Sequence, residues 1–140
     1  MTTYKIAVIA GDDSGPEAMD LALKVLDKAL KNSSVKLDFV HCDVGQKRFA
    51  ATGETFDYEG KKYGGISQAT LDKIKKCHAL FYTAVAAAKL PRNVQSPWSL
   101  LRKYFNCDVN VRPKKSYPNT KTINPNINMI IVQKQSKKML

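Results

Sequence analysis

Arg102 and Arg112, with Ser96 ahead of them, are the residues best suited by chemistry to hold a substrate. A guanidinium is a planar fork that binds a carboxylate through two parallel N–H bonds. Two forks that converge could hold a di- or tricarboxylate, and the Ser96 hydroxyl could add one hydrogen bond. Spacing alone leaves a second reading open, in which both arginines are ordinary surface charges.

The segment Gly11-Asp12-Asp13-Ser14-Gly15-Pro16 is a second candidate. It reads as a turn from a strand into a helix, where ligands of open α/β sheets collect and where helix N–H groups favour an anion. Asp12 and Asp13 oppose a phosphate there, and the pattern is neither G-x-G-x-x-G nor a Walker loop. A structural turn is the favoured reading. His41-Cys42 and Cys77-His78 have the softness of zinc ligands. Neighbours on a strand point to opposite faces, however, so the four cannot easily close on one ion. Buried core cysteines are the favoured reading. No Ser-His-Asp order, paired-carboxylate helix or metal motif stands elsewhere.

The elements that must position these residues follow from composition and periodicity. The chain has 140 residues, 44% hydrophobic and 25% charged, which suits one folded domain and excludes wholesale disorder. No apolar run approaches the ~20 residues of a membrane span. The N-terminus is expected to carry no cleavable address. Three scattered cysteines point to a reducing intracellular compartment, cytoplasmic or mitochondrial matrix, rather than a disulfide framework.

The net charge of +11 is uneven: from Arg112 to Leu140 there are seven basic residues and no Asp or Glu. Such an end can meet an acidic protein, an acidic lipid, nucleic acid or a polycarboxylate. Tyr117 is its only aromatic, so single-stranded nucleic acid is not the expected partner.

Tyr4 to Ala10 reads as a buried strand. A helix follows from Pro16, with Met19, Leu21, Leu23, Val25, Leu26 and Leu30 as its apolar face. Val35 to Val44 is a second strand, and the strand–helix–strand order predicts a parallel pair. Gly45 to Ala51 is a short helix, and Thr52 to Gly65 a loop or hairpin. Ser67 caps a helix to about Cys77, with Leu71 and Ile74 inward. His78 to Ala84 is a third strand and Pro97 to Phe105 a helix. Val109 to Val111 and Asn128 to Val132 are further strands around a loop rich in Asn and Pro. The class is α/β, a mostly parallel sheet flanked by helices.

These segments together resemble the N-terminal part of the β-decarboxylating dehydrogenases, the isocitrate and isopropylmalate dehydrogenases. Ile6 to Glu17 resembles the family's opening strand and its G-D-G-I-G-P-E turn. Gly65-Ile66-Ser67 through Phe81 resembles the helix and strand that follow. Ser96 to Pro113, with Leu101-Arg102-Lys103 and Asn110-Val111-Arg112-Pro113, resembles S-x-x-x-x-L-R-K…A-N-[IV]-R-P. Thr120 to Val132 resembles the lead-in to V-R-E-N-T-E and favours the isocitrate branch.

The resemblance implies a partial, truncated dehydrogenase fold over residues 1–132, followed by a divergent basic tail over residues 133–140. It implies an activity that uses NAD(P) to oxidise a 2-hydroxy acid and Mg or Mn to assist loss of its β-carboxylate. It carries a substrate grip onto Ser96, Arg102 and Arg112. The departures are equally specific. Asp13 and Ser14 replace the family's second glycine and isoleucine. Thr83, Ala87 and Ala88 fall at the lysine and threonine positions of the loop after the third strand. Trp98 falls at an asparagine, Asp108 at an aromatic and Gln133 at a third substrate arginine. Lys134-Gln135-Ser136 replaces E-N-T, and Leu140 falls at the catalytic tyrosine.

No catalytic or metal residue is therefore assigned, cofactor contacts are unassigned, and the chain by itself is expected to bind no cofactor. The expected function is that of an isocitrate-dehydrogenase-like protein lacking the catalytic half, non-catalytic or regulatory. Its expected partner is a full-length dehydrogenase subunit, with weak binding of a citrate-like anion. The alternative is a repurposed structural subunit of a larger, possibly mitochondrial, complex. An active oxidative decarboxylase is the least favoured reading.

Overall fold

Ala7, Val8 and Ile9 are completely buried, and strand β1 (Thr2–Ile9) that carries them is the middle strand of a three-stranded parallel sheet. A central strand loses water on both faces, which is why consecutive rather than alternating positions are apolar. The computed structural model describes residues 2–134. They fall into two compact units that divide between Leu100 and Leu101.

In the first unit, β2 (Val35–His41) lies beside β1 with Thr2 opposite Val35 and Val8 opposite His41. Strand β5 (Ala79–Tyr82) lies on the other side, with Ile6 opposite Ala79 and Ile9 opposite Tyr82. Both pairings are parallel, as the strand–helix–strand order requires. Helix α1 (Gly15–Leu30) makes the first crossover, with proline in its first turn where an N–H has no helical partner.

The apolar face expected on α1 needs one correction. Met19 is 2% exposed and Leu23, Leu26 and Leu30 are half-buried, at spacings of four, three and four residues. Leu21 and Val25 are exposed instead, Val25 at 67%. With 3.6 residues per turn they fall to the side of that stripe.

Helix α2 (Gln46–Thr52) ends at Gly53, which adopts the left-handed conformation of a C-terminal cap. Strands β3 (Thr55–Tyr58) and β4 (Lys61–Gly64) form an antiparallel hairpin. Its turn residues Glu59 and Gly60 both have positive φ, the geometry that matches the twist of a two-residue hairpin. A short strand not expected from the sequence, β6 (Val94–Gln95), adds in parallel to β4. Helix α3 (Gln68–Lys75) starts at Ser67, whose hydroxyl accepts the Thr70 N–H, and it buries Leu71 and Ile74. Helix α4 (Pro97–Tyr104) follows β6.

The second unit contains an antiparallel pair, β7 (Val109–Lys115) and β8 (Asn128–Lys134), with Val111 opposite Val132 and Arg112 opposite Ile131. The parallel pairing is thus confined to the sheet around β1 and to the β4–β6 contact, while both hairpins are antiparallel. β8 is exposed along its whole length despite its apolar sequence. Of the divergent basic tail, Gln133 and Lys134 complete β8, and residues 135–140 lie outside the described residues. Among the described residues no helix is long and apolar enough to cross a membrane.

Candidate functional site

The turn after β1 is built around Asp12, which is 6% exposed. One carboxylate oxygen accepts the Gln46 N–H at 2.9 Å and the Ala86 N–H at 3.0 Å, and the other accepts the Lys47 N–H at 2.9 Å. The first two N–H groups of α2 have no partner within the helix, and a carboxylate satisfies them while complementing the helix dipole. Asp12 therefore fills with its own charge the place where an anion would sit. Asp13 takes a left-handed φ of 52° beside it.

The loop after β5 is tied to the same turn. The Asp12 N–H donates to the Ala84 carbonyl at 2.9 Å, and the Thr83 hydroxyl donates to the Ala10 carbonyl. The Lys89 N–H donates to Gln46 Oε1 at 2.9 Å. Gly11 has φ of 72°, and any Cβ there would run into the Ala84 carbonyl. Gly15 is packed against the Ala10 carbonyl and the Thr83 hydroxyl. The glycines of this turn thus admit the chain's own backbone.

These observations test two groups that the resemblance implies. The turn does not fit a dinucleotide phosphate, because a carboxylate holds its helix N–H groups and backbone fills its glycine clefts. Among the described residues no three His, Cys, Asp or Glu side chains gather where they could hold a metal ion. His78 and the two thiols have partners within the chain: Cys42 Sγ donates to the Val40 carbonyl at 3.6 Å and Cys77 Sγ to the Lys73 carbonyl at 3.5 Å. His78 Nδ1 accepts the Lys5 N–H at 2.9 Å, and its ring meets Tyr4 edge-on at 5.5 Å. Cys42 is buried, which pushes its thiol above the usual range; nearby Lys73 opposes that rise and Cys77 adds to it.

The proposed substrate residues stand in different settings. Ser96, in the first unit, caps α4: its hydroxyl accepts the Trp98 N–H at 3.3 Å and its carbonyl accepts the Ser99 N–H. The cap explains why a serine suits this position without any ligand. Trp98 packs its ring 4.2 Å from that of Tyr82 at the end of β5.

Arg102 and Arg112 belong to the second unit. Arg102 is half-buried in the last turn of α4, and its carbonyl accepts the Cys107 N–H. Arg112 is exposed on β7. Side chains alternate across a strand, so Arg112 shares a hairpin face with Asn110 and Lys114. Across the pair, Gln133 is opposite Asn110, Ile131 opposite Arg112 and Met129 opposite Lys114. Arg112 and Gln133, two positions at which the resemblance expects arginines, thus stand on one face of one hairpin.

Sequence reasoning treated Asp12 as an obstacle to an anion and missed its structural use. The signal was present only in part: a carboxylate between Gly11 and Gly15 does not reveal that its helix lies 34 residues away.

The comparisons with known proteins agree with one another. A sequence model described as isocitrate/isopropylmalate dehydrogenase matches residues 5–136. A 3-isopropylmalate dehydrogenase of Streptomyces avermitilis is 35% identical over 136 residues, which cover 94% of this chain and 36% of that protein. One from Mycobacterium avium is 32% identical over 134 residues, 92% of this chain and 36% of that protein. Among solved structures, the apo β-decarboxylating dehydrogenase of Thermococcus kodakarensis superposes with a TM-score of 0.67 at 25% identity, over 96% of this chain and 34% of its own. The isocitrate dehydrogenase of Methylococcus capsulatus gives 0.70 at 26% identity, over 94% and 34%. The chain spans about a third of the length of these relatives. Both branches of the family are represented among them.

Proposed function

The chain belongs to the isocitrate/isopropylmalate dehydrogenase family, and from that membership we propose a non-catalytic relative that binds a citrate-like polycarboxylate weakly. Its partner in this reading is a full-length dehydrogenase subunit, which it regulates or completes. The observation that carries the reading is Gln133. It stands opposite Asn110 on the face that bears Arg112, where the family resemblance expects a third arginine.

A neutral amide can donate a hydrogen bond to a carboxylate but offers no charge to it. A charge contact on an exposed face such as this is typically worth about 1 kcal/mol or less. Arg102 and Arg112 alone then have to balance up to three carboxylates. Their role is to bind and orient, since a guanidinium offers a rigid fork of hydrogen-bond donors and no acceptor.

The test is a calorimetric titration with citrate, isocitrate and isopropylmalate, alongside an assay for NAD or NADP reduction with Mg or Mn. Weak binding that is lost in Arg112→Ala and strengthened in Gln133→Arg, without turnover, supports the reading. Cofactor reduction that follows the protein through purification overturns the non-catalytic role. Affinity equal in Arg112→Ala and the unaltered chain removes the anion site.

A further inference from the structure

The loop that joins β7 to β8 is held closed by Ser116. Its N–H donates to the Ile127 carbonyl at 2.9 Å, its hydroxyl donates to the Asn124 carbonyl at 2.7 Å, and the same oxygen accepts the Ile127 N–H at 3.3 Å. Within the loop the Thr120 N–H donates to the Tyr117 carbonyl, and the Asn126 N–H donates to Asn124 Oδ1. The loop is thus shaped by its own bonds, whatever lies along the edges of the hairpin.

A loop shaped in this way is expected to be polar. Instead Ile123 is completely exposed and Tyr117 is 65% exposed. Met129 and Ile130, where β8 leaves the loop, are exposed as well. Apolar residues exposed singly are ordinary. These are gathered at one end of one hairpin, and the charges around them have a single sign. Lys114 and Lys115 are exposed where β7 enters the loop, on opposite faces of the strand, and Lys121 is exposed within the loop. No Asp or Glu occurs from Val109 to Lys134.

We propose that this loop docks on an anionic phospholipid surface. Tyr117 and Ile123 enter the headgroup region, and Lys114, Lys115 and Lys121 lie over the lipid charges. A tyrosine ring suits that level of a bilayer. Lysine stems lie along apolar surface while their ammonium groups reach the anionic heads.

The chemistry favours lipid over other polyanions. Tyr117 is the only aromatic of the segment, too few to stack successive bases of a single strand. The apolar side chains stand on the end of a hairpin, and a fluid bilayer yields to such a shape without a preformed hollow. The docking is shallow, because irregular backbone cannot leave its polar groups unpaired in hydrocarbon. Asn119, Asn124 and Asn126 hold the loop among the headgroups. Since Ser116 already closes the loop, little ordering accompanies binding. The docking does not rest on the anion site.

The experiment is co-sedimentation of the full chain with two kinds of vesicle, phosphatidylcholine alone and phosphatidylcholine mixed with phosphatidylserine, at low and high salt. Binding to the phosphatidylserine vesicles alone is expected, and salt should weaken it. Lys121→Gln weakens it about fivefold, the contribution of one basic residue near an anionic surface. Ile123→Ser removes apolar contact and no charge, and weakens it about fivefold or more. Lys61→Gln removes the same charge from the β3–β4 hairpin and leaves binding unchanged. Ile123 is fully exposed, so its variant should melt with the unaltered chain and report on docking alone. Absence of binding to phosphatidylserine vesicles at low salt overturns the proposal. So does equal affinity of Ile123→Ser and the unaltered chain, which would reduce the contact to charge, or a Lys61→Gln variant weakened as much as Lys121→Gln. Tighter binding to single-stranded RNA than to vesicles, insensitive to Ile123→Ser, overturns it in favour of a polynucleotide.

Discussion

The carboxylate of Asp12 accepts the backbone N–H of Ala86 at 3.0 Å, joining residues 74 positions apart. The same side chain holds the start of α2 through Gln46 and Lys47. One buried charge thus fixes the turn after β1, the loop after β5 and a helix of the first unit to one another.

Asp12→Asn is expected to destabilise the chain by about 2–4 kcal/mol. The amide has one acceptor oxygen where the carboxylate has two, and its NH2 faces a backbone N–H. Hydrogen bonds to a charged group contribute ~1.5–3 kcal/mol each, and an orphaned buried donor adds a desolvation cost. Urea unfolding measures this, and a loss below about 0.5 kcal/mol, the scale of an ordinary surface change, would show that the bonds are dispensable.

Gly65→Ala is expected to be far more costly than Gly53→Ala. Both glycines have positive φ, 68° and 65°. A Cβ on Gly65 would run into the Gly45 carbonyl, whereas one on Gly53 meets open space. The Gly53 change carries only the left-handed backbone cost of ~1–2 kcal/mol. The Gly65 change adds displacement of a backbone that is itself bonded, Gly45 N–H to Gly65 carbonyl at 3.0 Å. Equal melting temperatures for the two variants would contradict the packing.

Met19→Ala and Val25→Ala, on one helix, should separate cleanly. Met19 is 2% exposed, and large-to-small changes at such sites cost ~2–5 kcal/mol. Val25 is exposed, and its change should stay within about 0.5 kcal/mol. Thermal unfolding of both variants decides whether the buried stripe of α1 has been placed correctly.

Cys42 should make stability fall in the alkaline range. Burial raises its thiol in the folded chain above the ordinary value, so between those two values the unfolded chain has lost the proton while the folded one keeps it. The unfolded state then binds fewer protons, and stability declines as pH rises through that window. Below the ordinary thiol value the contribution is fully present. Unfolding measured at neutral and alkaline pH should show a slope that Cys42→Ala reduces. Cys107, which is exposed, should react with a thiol reagent well before Cys42.

What the residues determined by themselves was local. The Ser67 cap and the burial of Leu71 and Ile74 rest on bonds and periodicities that span a few residues, whereas residues 52–65 read equally as a loop or as the β3–β4 hairpin they form. The parallel pairing of β1 with β2 was legible because a crossover helix leaves few other arrangements. Membership of the dehydrogenase family was legible in the Arg102 and Arg112 segment, since motif residues keep their spacing while the rest drifts.

Tertiary structure decided the rest, because the partners lie far along the chain. The helix that Asp12 caps begins 34 residues later, so the turn alone reads as structural and opposed to an anion without revealing that Asp12 takes the anion's place. Leu21 and Val25 look as apolar as Met19, and only the direction of the sheet selects which stripe is buried. The sequence of β8 resembles that of a strand covered on both faces, yet β8 is exposed throughout. Hydrophobicity states that a strand gains by being covered, and only the fold determines whether anything covers it.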